Sequence, residues 1–103
     1  MRITIPGSTL AVLLLLQASA QAGDIAAGEA AYSARGCIGC HGVAGESPIG
    51  PNYPSIGGKP EAFIVGELER FRAGGRHDPA MSTMASNLSD TDIANIAAYL
   101  AAQ

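Results

Sequence analysis

The sequence predicts an all-α protein in which three main helices are joined by loops rich in glycine and proline. Apolar residues recur at helical spacing in three segments, near residues 24–35, 60–73 and 90–102. Glycine and proline cluster between these segments, and the alternating pattern typical of strands is almost absent. The net charge of −3 comes with no basic patch interleaved with aromatic residues, which excludes a nucleic-acid-binding protein.

The first 22 residues have the pattern of a signal peptide. Arg2 gives a positive start, a short apolar run extends from Leu10 to Leu16, and small residues before Ala20 and Ala22 offer two cleavage sites. We therefore predict a signal peptide over 1–22 and one domain over 23–103. An uncleaved membrane anchor is the alternative, but the run is far shorter than the ~20 residues that span a bilayer. No second apolar segment follows, so we expect no membrane insertion after cleavage.

The first helix is predicted from Asp24 to Arg35. Asp24 is a favourable N-cap residue, and Gly36 provides the stop. Four residues fall on one face at helical spacing, which predicts that this face is buried: Ile25, Gly28, Ala31 and Tyr32.

The most specific motif follows immediately, as Cys37-Ile38-Gly39-Cys40-His41. Two thiols separated by two residues and followed by a histidine are typical of covalent attachment of a c-type haem. Each thiol can add to one vinyl group, and the histidine can ligate the iron. A structural zinc site would need four ligands, and a thioredoxin-like pair would need a βαβ pattern. A simple disulfide leaves the adjacent histidine unexplained. We therefore predict one covalent haem c containing iron.

A long loop and a second helix come next. The loop from Gly42 to Gly58 contains five glycines and three prolines, which is incompatible with a regular helix. Because the loop is long for an ordinary connection, we expect it to wrap around the haem edge. The second helix is predicted from Pro60 to Ala73, with proline at its first position. Its buried positions are predicted to be Ile64, Leu68 and Phe71.

The last helix is predicted from Asp90 to Ala102 and is preceded by a loop that carries two methionines. Ser89 and Asp92 form a variant of the capping box, and Leu88 and Ile93 occupy the positions of a hydrophobic staple. The predicted buried stripe consists of Ile93, Ile96, Ala97 and Leu100. The candidates for a sixth iron ligand are His77, Met81, Met84 and Lys59. We favour the two methionines, which lie in the preceding loop, since a thioether binds haem iron well. We expect one to ligate and the other to pack nearby.

Taken together, these motifs resemble a class I cytochrome c, and most of all one haem domain of the bacterial cytochrome c4 branch. The resemblance covers the whole domain, from Gly28 and Tyr32 through the haem motif and Gly50-Pro51-Asn52-Tyr53-Pro54 to Ala98-Tyr99-Leu100. It implies the class I cytochrome c fold. It also implies that Gly28 and Tyr32 meet Ile96 and Tyr99 where the first and last helices cross.

The resemblance also assigns roles to single residues. Cys37 and Cys40 correspond to the thioether-forming cysteines, and His41 to the proximal ligand. Pro51 corresponds to the proline whose carbonyl accepts a hydrogen bond from that histidine. Met81, seven residues before the leucine of the Leu-Ser-Asp cap, corresponds to the ligating methionine. One haem motif stands where cytochrome c4 has two.

The expected function is electron transfer rather than enzymatic catalysis. With His41 and Met81 bound, iron has no open position for a substrate, and we expect a monomer that meets its redox donor and acceptor transiently in the bacterial periplasm. Two alternatives stay open. The chain could be the haem subunit of a periplasmic dehydrogenase complex, as in flavocytochrome c, or it could have a catalytic or gas-binding haem with an open distal site. Arg72 is expected to face solvent, and His77 to be either solvated or a haem propionate contact.

Overall fold

A computed structural model describes residues 2–4 and 23–103, and these described residues form five α-helices. Their bounds are α1 Ile25–Ala34, α2 Cys37–His41, α3 Glu61–Ala73, α4 Pro79–Ser86 and α5 Asp90–Ala101. A single 3₁₀ turn, Val43–Gly45, follows α2. Residues 2–4 and 23–103 contain no strand, so the predicted all-α class is confirmed. The predicted signal peptide and its cleavage site fall almost entirely outside the described residues.

The helices begin and end close to where the sequence predicts. Asp24 caps α1 by accepting a hydrogen bond from the backbone N–H of Ala27 at 2.9 Å. Ser89 and Asp92 form a full capping box at the start of α5, with both reciprocal bonds present. Pro60 is the N-cap residue of α3 rather than its first helical residue.

The prediction of three helices missed two short ones. The haem motif itself forms α2, and the segment predicted as a methionine loop forms α4. Asp78 caps α4 by accepting from the N–H groups of Ala80 and Met81, at 3.0 and 2.9 Å, and Pro79 occupies its first turn. An aspartate followed by proline is a start signal for a helix, so this element was visible in the sequence.

The crossing of α1 over α5 organises the core. A Cβ added to Gly28 would lie 1.9 Å from the carbonyl oxygen of Asn95, so only glycine allows the two backbones to approach this closely. The rings of Tyr32 and Tyr99 pack at the same crossing, with centroids 5.5 Å apart. The predicted stripe of α5 is buried, as are Ile64 and Phe71 of α3, whereas Ile25 is 53% exposed and lies off the buried face of α1.

Two further contacts hold the elements in place. The long loop is tied to α5, because Gly58 donates its N–H to the carbonyl of Leu100 at 2.8 Å. The prediction that Arg72 faces solvent was wrong. Its guanidinium donates to the carbonyl of Leu88 at 3.2 Å and pairs with Asp90 at 2.6 Å, which fastens α3 to the start of α5.

Candidate haem site

The two cysteines and the histidine of the predicted haem motif lie together on α2. Gly36, with φ of 83°, is the N-cap residue of α2 and separates this helix from α1. Gly42, with φ of 80°, ends α2 directly after His41. Cys37 and Cys40 are half-buried and form no disulfide, whereas His41 is only 6% exposed. The motif is therefore turned inward, toward a cavity that lies against it.

The His41 ring is oriented by the long loop. Its Nδ1 lies 2.9 Å from the carbonyl oxygen of Pro54. Because a carbonyl can only accept, this hydrogen bond requires the proton on Nδ1, which leaves the lone pair of Nε2 free for a metal. A bond of this kind fixes the ring and raises its basicity.

The assignment of this acceptor to Pro51 was wrong. Pro51 is exposed and does not line the cavity. It lies in a turn closed by the N–H of Tyr53, which donates to the carbonyl of Gly50 at 3.1 Å. Proline favours the second position of such turns, and the reversal brings Pro54, three residues later, back to His41. A Gly-Pro-Asn-Tyr-Pro segment offers two proline carbonyls, and the sequence alone did not separate them.

We therefore predict different effects for the two prolines. Pro54→Ala keeps the acceptor, since it is a backbone atom, but frees its φ and loosens the loop. It should cost about 0.4–1 kcal/mol of stability and produce a small change in reduction potential. Pro51→Ala should leave the potential unchanged. Redox titration and denaturant unfolding of the two holoproteins make the comparison. A potential that moves for Pro51→Ala alone would contradict this geometry.

The cavity beside α2 has the size and lining of a cofactor site. Its volume is about 490 Å³, within the about 300–1,000 Å³ typical of ligand sites. Both cysteines and His41 contribute to its wall, and most of the remaining lining residues are apolar or aromatic residues of α1, the long loop, α3, α4 and α5. The apolar plate of a haem needs such a wall. The residues present therefore fit the predicted group.

Both candidate methionines also line this cavity. Met81 and Met84 stand three residues apart on α4, so they share one helical face. Met81 is partly buried, whereas Met84 is 36% exposed. A Cβ placed on Gly36 would lie 3.3 Å from the terminal methyl of Met84, so Met84 packs near the start of the haem motif. The structure brings both thioethers to the site.

Charged residues occupy another part of the lining. Glu67 accepts from Arg70 at 2.7 Å and also from Arg76, whose guanidinium lies 4.6 Å from the centre of the Phe71 ring. Lys59, Arg76 and His77 all contribute to the cavity wall. The positive charges of Lys59 and Arg76 suit the two carboxylates of a haem. His77 was considered for this role from the sequence. The pairing of Glu67 with Arg76 could not be predicted, because it depends on the turn between α3 and α4.

Two groups beside the cavity have shifted pKa values. Burial is the main cause that raises the pKa of Tyr32 to about 12, and the nearby Cys37 thiol adds to it. Burial likewise raises the pKa of Cys37, with a smaller contribution from Cys40. The Tyr32 hydroxyl is therefore neutral at neutral pH and remains a hydrogen-bond donor, whereas the shift of Cys37 concerns its thiol before haem attachment.

The described part of the chain offers neither a cluster of metal-ligating side chains nor a membrane-spanning helix. None of its His, Cys, Asp and Glu side chains form a group of three or more that could hold a metal ion. None of its helices has both the length and the apolar character needed to cross a membrane.

Comparison with known families decides the assignment. The sequence profile of the family described as Cytochrome c matches residues 25–103, which include all five helices and the cavity. The chain belongs to the cytochrome c family. Membership implies a covalent haem c with iron, and the Cys37, Cys40 and His41 motif fits this.

Comparison with individual proteins shows which members of the cytochrome c family this chain is similar to. It is 41% identical over 96 residues to cytochrome c4 from Pseudomonas aeruginosa, covering 93% of this chain and 46% of that protein. It is 39% identical to cytochrome c-554(548) from Halomonas halodenitrificans, covering 80% of this chain and 99% of that protein. The chain therefore spans about half the length of the cytochrome c4 it matches and nearly all of the shorter relative.

A solved structure agrees with this placement. Reduced cytochrome c4 from Pseudomonas stutzeri superposes with a TM-score of 0.72 at 35% identity, covering 80% of this chain and 46% of that one. The chain is thus a member of the cytochrome c family that is similar to one part of cytochrome c4, and it has the predicted fold.

Proposed function

We propose that this cytochrome c carries single electrons between redox proteins outside the cytoplasm, with His41 and Met81 as the axial ligands of its haem iron. The observation that carries the proposal is the shared cavity. Two helices that are far apart in the sequence contribute the proposed haem-binding residues to one cavity. These residues are Cys37, Cys40 and His41 of α2 and Met81 of α4. No carboxylate pair or nucleophile–base pair suited to catalysis was found in the sequence.

Covalent attachment through both cysteines is the first part of the proposal to test. If Cys37 and Cys40 both form thioethers, the haem should stay with the polypeptide during acid–acetone extraction. Cys37→Ala should leave one linkage and lower the yield of matured protein severalfold. Mass spectrometry of the extracted polypeptide measures both outcomes. Quantitative release of haem from the matured wild-type protein would contradict covalent attachment.

The chain's own residues supply what electron transfer requires around the haem. When bound, the haem iron supplies a one-electron couple whose potential depends on its axial ligands and their surroundings. His41 is held in one tautomer by Pro54, so its Nε2 is ready to ligate. Asp78 caps α4 and fixes the position of Met81 at its start. The apolar wall excludes water, and ligands held on helices move little between oxidation states.

Contact with partners is supported by the exposed apolar side chains around the cavity. Phe63 is 54% exposed and Tyr53 36% exposed, and both line the cavity, so an edge of the haem would face solvent there. Electron-transfer encounters are typically small in area, below about 1,200 Å². Transient docking of a monomer to a donor and an acceptor fits such a surface.

Export is supported by the sequence of the first 22 residues alone. If residues 1–22 are a signal peptide, the matured protein should begin at Gly23, or at Gln21 if cleavage follows Ala20, and should be released with the periplasmic fraction. N-terminal sequencing of the holoprotein from that fraction tests both points. A holoprotein that retains Met1 and sediments with membranes would favour the anchor instead.

A second candidate function is service as the electron acceptor of one dehydrogenase. A protein named thiosulfate dehydrogenase electron acceptor, from Thiomonas intermedia, is 36% identical over 66 residues, covering 64% of this chain and 30% of that one. A thiosulfate dehydrogenase structure from Marichromatium purpuratum superposes with a TM-score of 0.60 at 38% identity, covering 68% of this chain and 16% of that one. Stopped-flow reduction of the oxidised protein by a thiosulfate dehydrogenase, with cytochrome c4 as comparison, tests this candidate. A general carrier should be reduced by several unrelated donors at similar rates.

A further inference from the structure

The Tyr32 side chain connects the helix crossing to the haem motif. It is 1% exposed, it lines the cavity, and its hydroxyl donates to the carbonyl oxygen of Gly42 at 2.5 Å. Gly42 is the residue that follows His41. We propose that Tyr32 is a positioning residue for the proximal side of the haem, acting through the Gly42 peptide on the orientation of His41. This inference rests on the proposed ligation by His41.

The Gly42 peptide has little freedom of its own to relax. Its φ of 80° and ψ of 178° favour glycine, and an added Cβ would lie 2.0 Å from the carbonyl oxygen of Ser47. Its N–H closes α2 by donating to Ile38 at 3.0 Å, and its carbonyl also accepts from the N–H of Gly45 at 3.1 Å. The Tyr32 hydroxyl is thus a third hydrogen-bond partner of the Gly42 backbone and, among the described residues, the one that reaches it from outside the segment 38–45.

This anchor completes the restraint on His41 from two directions. The ring is held at Nδ1 by Pro54, and the backbone just after it is held by Tyr32. The hydrogen bond at Nδ1 limits rotation of the imidazole about its side-chain bonds, and a fixed backbone sets the point from which the side chain extends. The two bonds come from different elements, the long loop and α1, so neither can replace the other.

The anchor is itself rigid because of where Tyr32 lies. Its ring packs against Tyr99 with centroids 5.5 Å apart and an interplanar angle of 47°. The close approach at Gly28, one helical turn earlier on α1, fixes the depth at which Tyr32 enters the core. A shift in the crossing would therefore be passed to the peptide beside the proximal ligand.

The test compares Tyr32→Phe with Tyr99→Phe in the holoprotein. Both changes remove one hydroxyl from the same ring pair, but Tyr99 does not line the cavity and no hydrogen bond from its hydroxyl is present in the described residues. Tyr32→Phe should alter the spread of haem methyl resonances in the oxidised protein and shift the reduction potential. Exchange of the Gly42 and Gly45 amides should become about two- to tenfold faster. Tyr99→Phe should leave all three at wild-type values.

Two results would overturn the inference: wild-type values for Tyr32→Phe, or equal changes in both variants. If Tyr32→Phe fails to mature, 3-fluorotyrosine at position 32 keeps the ring and hydroxyl but changes the donor strength. It should still move the methyl resonances, and unchanged resonances would overturn the inference. Failure of the proposed function is distinguishable, because loss of His41 ligation would already be apparent in the wild-type spectrum.

Discussion

Met81→Ala is expected to change the haem site more than any other single substitution outside the attachment motif. Removal of the thioether should abolish the sulfur-to-iron charge-transfer band of the oxidised protein and open iron to small ligands. The reduction potential should fall, since axial ligands control a range of about 0.8 V. Optical spectra and redox titration of the holoprotein measure the three effects. The prediction favours Met81 because it precedes Leu88 by seven residues, and the partial burial of its side chain agrees with this.

Met84→Ala is the matched control, since both methionines lie on α4 and line the same cavity. Met84 is 36% exposed, so its loss should cost less than the about 2–5 kcal/mol of a fully buried methionine. The charge-transfer band should remain. Loss of the band in Met84→Ala, with the band intact in Met81→Ala, would reverse the assignment.

Gly28→Ala is expected to have the largest effect on stability. Alanine is the better helix former by about 1 kcal/mol, yet its Cβ would lie 1.9 Å from the Asn95 carbonyl and 2.8 Å from the Cβ of Tyr99. The Asn95 carbonyl is part of the α5 backbone and the Tyr99 Cβ is attached directly to it. Neither atom can move aside, so α1 must move away from α5. Overpacking of this kind costs about 1–3 kcal/mol, and the lost contacts of Tyr32 add to it. Denaturant unfolding at equal haem content measures the change.

Gly66→Ala provides the control for this prediction. Gly66 also lies inside a helix, α3, but an added Cβ there would meet no atom within 4 Å. The substitution should therefore stabilise the protein by about 0.5–1 kcal/mol through helix propensity alone. If Gly28→Ala were as harmless as Gly66→Ala, the close helix crossing would not be present in solution.

The sequence predicted the structure best where a short pattern of residues is typical of one local structure. Ser89 with Asp92 predicted the start of α5, and the periodic apolar residues of α5 predicted its buried face. The haem motif predicted a covalent haem, and the size and lining of the cavity beside it fit this cofactor. The family resemblance predicted the meeting of Tyr32 with Tyr99, because Gly28 permits the close approach there.

The predictions failed where long-range geometry chooses between equivalent residues. Pro51 and Pro54 both offer carbonyls, and the turn closed by Tyr53 decides in favour of Pro54. Arg72 has nothing in its neighbourhood along the chain that marks it as a partner of Leu88, because that contact forms only when α3 packs against the start of α5. Ile25 has the right spacing for burial, but its side chain lies off the face of α1 that packs against α5 and is 53% exposed.

A redox titration of the holoprotein, followed optically and with carbon monoxide added to the reduced form, tests the central claim most directly. A closed electron carrier should show a single one-electron transition. The charge-transfer band should be present in the oxidised protein, and carbon monoxide should not bind to the reduced protein at neutral pH. Rapid binding of carbon monoxide, or absence of the band in wild-type protein, would show an open iron site and contradict ligation by a methionine of α4.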